Sequence, residues 1–117
     1  MHEQPNADVA GAKKAILDAL GRGAKRARFM TEVAAALRRS KIDSTEMERA
    51  LAELQSEGVV IVRDNFCADP HLAGVDLRVA AWVERTQDND AQMAALQEID
   101  LAWNKWLGEY LANHRCG

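Results

Sequence analysis

Apolar residues recur at three-to-four spacing over Val9, Ala12, Ile16, Ala19 and Leu20, the period of a helix with one buried face, and Gly21 and Gly23 supply its stop. Asn6 or Asp8 is the expected N-cap, following a flexible N-terminus over 1–6. Ala24 to Met30 reads as a basic connector whose only large apolar residues, Phe29 and Met30, offer one anchor in the core. Thr31 is the expected cap of a second helix, with Glu32 in its first turn, Val33, Ala34 and Leu37 on one face, and Arg38-Arg39-Ser40-Lys41 at its close. Ile42 is placed to plug the turn. Asp43 or Ser44 then caps a third helix, and Glu46 stands where a capping box needs it if Asp43 is the cap. Met47, Ala50, Leu51 and Leu54 form its buried stripe, and Gly58 ends it.

The period changes after Gly58. Val59-Val60-Ile61-Val62 is short and β-branched, which favours a strand, and Asp76 to Val83 supplies a partner across a loop holding Pro70 and Gly74. From a cap at Asp88 or Asn89 a last helix runs over 88–113, with Met93, Leu96, Ile99, Trp103, Trp106, Leu107, Tyr110 and Leu111 as one broad stripe. That stripe suits either packing on the same chain or pairing with the same helix of a second copy, and a homodimer is the expectation carried forward. The pattern thus predicts a mainly α chain with a small antiparallel β-hairpin, a helical core over 7–83 and a long C-terminal helix.

At 117 residues the chain has the usual size of one domain, and its 48% hydrophobic and 28% charged residues are those of an ordinary globular protein. The N-terminus lacks the basic start and apolar run of a signal peptide, and no segment approaches the ~20 apolar residues that span a bilayer, so no membrane association and a cytoplasmic location are the expectations. Net charge is −3, but it is unevenly divided. Residues 1–42 hold nine Lys or Arg against four Asp or Glu, a net +5, and the remainder is net −8. Most of the positive charge is Arg22, Lys25, Arg26, Arg28, Arg38, Arg39 and Lys41, which makes this stretch the candidate face for an anionic partner; a solvated basic surface is the plainer alternative.

The helix of the form Ser44-x-x-Met47-x-x-Ala50-Leu51-x-x-Leu54, preceded by a capped helix and a turn with a buried aliphatic and followed by Glu57-Gly58-Val59-Val60, resembles the winged-helix regulators. The long helix after the hairpin is similar to the small dimeric regulators of the PadR type. The resemblance implies a winged helix-turn-helix fold with an added N-terminal helix, the hairpin serving as the wing, and a DNA-binding transcriptional regulator as the function. It implies that Ser44, Thr45, Glu48 and Arg49 face the major groove, that Thr31, Arg38, Arg39 and Lys41 lie near phosphates, and that Arg22, Lys25, Arg26, Arg28 and Arg63 add to that surface. Two features depart from the family's pattern. Glu46, Glu48 and Glu53 surround Arg49, and the hairpin loop carries Asp64 and Asp69 with only Arg63 and Arg78 near its base. These acids support a rival reading, in which the third helix and the hairpin bind a protein partner.

Other chemistry is sparse. Cys67-Ala-Asp-Pro-His71 in the loop and His114-Arg-Cys116 in the tail carry two thiols and two imidazoles, which would complete a zinc set if the tail reached the loop; the spacing is not that of a known finger, and incidental thiols are the plainer reading, so no cofactor is expected. Trp82, Trp103, Trp106 and Tyr110 could line a small-molecule pocket, although aromatics at helical spacing more often pack in a core or interface. His2, His71 and His114 are scattered, Ser40, Ser44 and Ser56 have no nearby partner in the chain, and no glycine-rich phosphate loop occurs, which makes an enzyme the least favoured class.

Overall fold

The computed structural model describes residues 5–21 and 27–113. Four α-helices and a three-stranded antiparallel sheet alternate as α1 (Pro5–Gly21), β1 (Ala27–Phe29), α2 (Met30–Arg39), α3 (Ser44–Ser56), β2 (Val60–Arg63), β3 (Val79–Trp82) and α4 (Asn89–Asn113), with a short 3-10 turn at Pro70–Leu72 inside the β2–β3 loop. The chain is mainly helical with a small antiparallel sheet. Among the described residues no helix is long and apolar enough to cross a membrane.

The sheet order is β1-β3-β2, so the last strand in sequence is central. Its register sets Phe29 against Val79 on one side and Arg63 against Val79 on the other. Alternation then sends Ala80 and Trp82, with Val60 and Val62 of β2, toward α1, α2 and α3, where Ile16, Leu20, Met30, Val33, Leu37, Leu51 and Leu54 are buried. Val79 and Ala81, with Ala27, Phe29, Ile61 and Val83, meet α4 on the opposite face. The buried residues therefore form two clusters, one on each face of a thin sheet.

Ala27–Phe29 corrects the connector expected over Ala24 to Met30. Three residues are too few for a period to show, and only the ladder to β3 makes them a strand. The same junction corrects Thr31. Helix α2 starts at Met30, its N-cap is Phe29 with no side-chain cap, and the Met30 N–H donates instead to the Arg78 carbonyl at 2.8 Å, leaving Thr31 exposed inside the first turn. Helix α1 likewise begins at Pro5, ahead of both proposed caps Asn6 and Asp8; a proline has no N–H to leave unsatisfied there. The strand expected over Asp76 to Val83 shortens to Val79–Trp82, because the Asp76 carboxylate takes the Arg78 N–H that a ladder would have used.

The helix α2–α3 turn follows expectation. The Asp43 carboxylate accepts from the Glu46 N–H at 2.9 Å while Glu46 accepts from the Asp43 N–H at 3.3 Å, a complete capping box. Both helices end alike. Ile42 N–H reaches back to the Leu37 carbonyl and Lys41 N–H to that of Arg38; Val59 N–H reaches Leu54 and Gly58 N–H reaches Gln55. Each is the paired bond of a Schellman end, which needs a left-handed residue: Gly58 at φ 77° after α3, but Lys41 at φ 63° after α2.

Asp88 caps α4 through the Asp90 N–H at 2.9 Å. The face that α4 lays on the sheet is Ala91, Ala95, Ile99 and Ala102, small residues around one fully buried isoleucine. This corrects the expected stripe. Met93 and Leu111 point away from the sheet and are 56% and 53% exposed, as is Leu101 at 59%, because the alanines, not the large side chains, mark the line of closest approach. Ile99 is consumed within the chain and is not free to meet a second copy. Truncating it is expected to cost about 2–5 kcal/mol in urea unfolding, whereas Leu101→Ala on the outer face should stay within about 0.5 kcal/mol.

Candidate nucleic-acid interface and the hairpin loop

Helix α3 presents Ser44, Thr45, Glu48, Arg49 and Ala52 outward, as the opposite side of its Met47, Ala50, Leu51 and Leu54 stripe requires. Its acids are not loose. Glu46 is occupied in the capping box. Glu48 receives both Nη atoms of Arg78, at 3.0 and 2.6 Å, and Arg78 also binds Asp76 through Nε at 3.0 Å and Nη2 at 2.8 Å. Asp76 and then Glu48 push the guanidinium pKa further up, and Arg78 in turn holds the Asp76 carboxyl below its ordinary value. Lys13 of α1 spans Glu57 at 2.7 Å and Glu53 at 3.1 Å, and these two, Glu57 first, raise its pKa. Exposed pairs of this sort add little to stability. Their effect is on charge, since each carboxylate of α3 faces a cation or an N–H of its own chain.

The cations expected at the interface divide into three groups. Arg38, Arg39, Lys41 and Arg49 are exposed and enter no ion pair among the described residues. Arg28 and Arg39, however, line a groove of about 480 Å³ between α1 and α2, with Asp18, Glu32 and Ser40 beside them and Ala15, Ala19, Val33 and Ala36 completing the lining. Arg22, Lys25 and Arg26 lie outside the described residues. Of the described cations of the basic stretch, Arg28 and Arg39 border the groove, and Arg38 and Lys41 are on the open surface.

The hairpin loop departs further from expectation. Arg63 bonds Asp100 of α4 at 2.9 Å, and with Arg78 committed as above neither base cation of the hairpin is left over. Asn65 donates to the Leu77 carbonyl at 3.0 Å and closes the loop's base. Across the loop the Tyr110 hydroxyl donates to Asp69 at 2.6 Å, and the same carboxylate meets His71 Nδ1 at 3.0 Å. The tyrosine stands at the end of an aromatic row: Phe29 lies 6.1 Å from Trp103 and 5.5 Å from Trp106, Trp103 stacks on Trp106 at 5.3 Å, and Trp106 on Tyr110 at 5.2 Å. Leu96, Trp103, Trp106, Leu107 and Tyr110 are half-buried within one chain, so the face expected at a dimer interface is largely spent on the sheet edge and the loop.

This arrangement also corrects the aromatic pocket. Trp82 packs with the cluster on the other face of the sheet, where a Cβ on Gly21 would come within 2.9 Å of its ring, whereas Trp103 and Trp106 pack against Phe29 on the α4 side. Sequence reasoning missed Lys13, Asp100 and the Asp69–Tyr110 bond. The one available signal was spacing: Tyr110 follows Trp106 by four and Trp103 by seven, which places it on the same helix face. Cys67 is a half-buried free thiol, no three His, Cys, Asp or Glu side chains among the described residues are grouped to hold a metal, and His114 and Cys116 lie outside the described residues.

No protein-family model, curated protein or solved structure matches the chain.

The loop tie can be read directly, because Tyr110 is the single tyrosine of the chain. Hydrogen bonding to Asp69 raises the phenol to about 12, and the bonds from Tyr110 and His71 hold the carboxyl down at about 2. The raised phenol contributes below its ordinary value of 10.0 and is lost as pH climbs through about 12; the depressed acid contributes above 3.8 and is lost as pH falls through about 2. Tyrosinate absorbance at pH 10.5 is therefore expected to be nearly absent in the folded protein, and to exceed half of full ionisation in Asp69→Asn, with circular dichroism confirming that both remain folded.

Proposed function

We propose that the chain is a winged-helix protein that binds duplex DNA through the end of α2, the turn after it and the outer face of α3, and acts as a transcriptional regulator. The order α1-β1-α2-α3-β2-β3, with β3 between β1 and β2, supports the winged-helix reading, in which α3 is the helix that enters the groove. The observation that carries it is the internal neutralisation of α3. Glu46, Glu48, Glu53 and Glu57 are each taken up by a cap, by Arg78 or by Lys13, while Arg38, Lys41 and Arg49 stay exposed and unpaired among the described residues.

The mechanism is phosphate neutralisation by Arg38, Arg39 and Lys41, with Ser44, Thr45 and Arg49 at base edges; the guanidinium fork of Arg49 matches the two acceptors of guanine. Arg63 leaves this set, since Asp100 holds it, and the hairpin loop turns toward α4 and away from the role of a basic wing. The rival reading, a protein partner held by the acids of α3, loses its motive because those acids already have partners within the chain.

Three phosphate contacts give a slope of log affinity against log salt near −2.7, a fall of roughly fortyfold between about 50 and 200 mM salt. Fluorescence anisotropy on a labelled random duplex measures it. Arg38→Ala with Lys41→Ala should weaken binding to all sequences and bring the slope to about −0.9. Glu48→Gln should bind as tightly as the parent or more so. Absence of binding to any duplex at about 50 mM salt would sink this reading.

A further inference from the structure

Arg78, at the base of the hairpin, is fixed at its backbone and its side chain alike. Its N–H donates to Asp76 Oδ1 at 3.1 Å, and its carbonyl accepts from the Met30 N–H at 2.8 Å, where α2 begins. Its guanidinium is forked. Nε and Nη2 donate to Asp76 at 3.0 and 2.8 Å, while Nη1 and Nη2 donate to Glu48 at 3.0 and 2.6 Å. A planar fork gripped by carboxylates on two sides keeps one orientation, and a bidentate bond passes that orientation to the carboxylate it meets. Glu48 is therefore held in one pose, where a free surface glutamate would sample several rotamers.

Held in this way, Glu48 still faces outward. Its side chain is 49% exposed, and helical spacing sets it on the outer face of α3 with Thr45, Arg49 and Ala52. A carboxylate has roughly four lone-pair sites; Arg78 occupies one on each oxygen, so each oxygen can accept once more. The donors that duplex DNA offers such an acceptor are few. Phosphates and deoxyribose within the duplex only accept, and the donors of the major groove are the exocyclic amines of cytosine N4 and adenine N6. Beside the adenine amine stands N7, an acceptor that repels a carboxylate, which leaves cytosine as the better match. Arg78 also lowers the cost of bringing an acid to a polyanion. With Asp76 and Glu48 it forms a trio of one net negative charge, on a chain whose α2 end and α3 expose Arg38, Arg39, Lys41 and Arg49.

Resting on the DNA-binding role already proposed for α3, we propose that Glu48 selects cytosine by accepting from its N4 amine, and that Arg78 is the positioning residue that aims it. The acid on the outer face of α3 then supplies sequence preference, while the exposed cations supply affinity. Its neighbour Arg49 carries donors, so the two adjacent side chains ask for opposite hydrogen-bonding partners. Arg78 touches no base. It ties the helix that reads to the hairpin base, and through Met30 to the start of α2.

The test is selection of bound sites from a randomised duplex library by the full-length chain and its variants, read by sequencing. The parent's sites are expected to hold one position at which cytosine is favoured about five- to tenfold. Glu48→Gln should move that preference to adenine, whose N6 and N7 a carboxamide matches, and Glu48→Ala should erase it, while random duplex is bound as tightly as by the parent or more so. Arg49→Ala should change a different position, which separates the cytosine from the guanine paired with it. Arg78→Lys keeps the charge and loses the fork, so it should relax the cytosine position with little change in salt slope, and adding Glu48→Ala should relax it no further. Circular dichroism checks that each variant is folded, and the two Glu48 variants decide the matter if Arg78→Lys is not. Sites without base preference, or the same preference in parent and Glu48→Gln, would overturn the cytosine assignment and leave DNA binding standing. Full preference in folded Arg78→Lys would overturn the positioning role, and no binding to any duplex would overturn both readings together.

Discussion

Everything in this molecule is arranged around a four-residue strand that has no free side. Val79, Ala80 and Ala81 of β3 have no exposed surface: β1 and β2 hydrogen-bond its two edges, α1 to α3 cover one face and α4 covers the other. A strand so enclosed must be apolar at every position and small where two layers approach it. The alanines at 80 and 81 meet that demand, and Ala91, Ala95 and Ala102 of α4 meet it from the other side. Charge is confined to the strand's two ends. Arg78 sits immediately before it and Glu84 soon after, and Arg78 is satisfied at once by Asp76 and Glu48.

The ion pairs join elements that are distant in sequence: α1 to α3, the entry of β3 to α3, and β2 to α4. None is deeply buried, and pairs of that kind contribute on the order of 0–1 kcal/mol. What they determine is where charge is left over. A near-neutral total conceals a surface on which the acids of α3 are matched internally and the arginines at the end of α2 are not. That residue of unmatched charge, more than the net value, is what a polyanion would meet.

How much of this was legible in the sequence depends on which forces set each element. The helices, their stripes and the Asp43–Glu46 capping box were legible because local spacing and local hydrogen bonds make them. β1 was not, since its three residues become a strand only when β3 arrives, more than fifty positions later in the chain. The inward face of α4 was misread for a related reason: large side chains stand out in a sequence, whereas a close helix–sheet contact selects alanine. The candidate interface was legible as a list of cations and not as a surface. Arg28 turns toward a groove that the exposed Arg39 also borders, Arg63 goes to Asp100, and the partners of the α3 acids, Lys13 and Arg78, come from elements whose proximity no spacing announces.

The two Schellman ends differ in one respect that bears on how this sequence responds to engineering. At Gly58 backbone geometry and residue type agree. At Lys41 they do not: a β-carbon is held at positive φ, where glycine would sit without cost. A redesign guided by folding stability alone would select glycine at 41 first, and would thereby erase a positive charge at the turn that leads into α3. Backbone strain and surface charge are bound to the same residue there, so thermostability and electrostatics cannot be optimised independently at that turn.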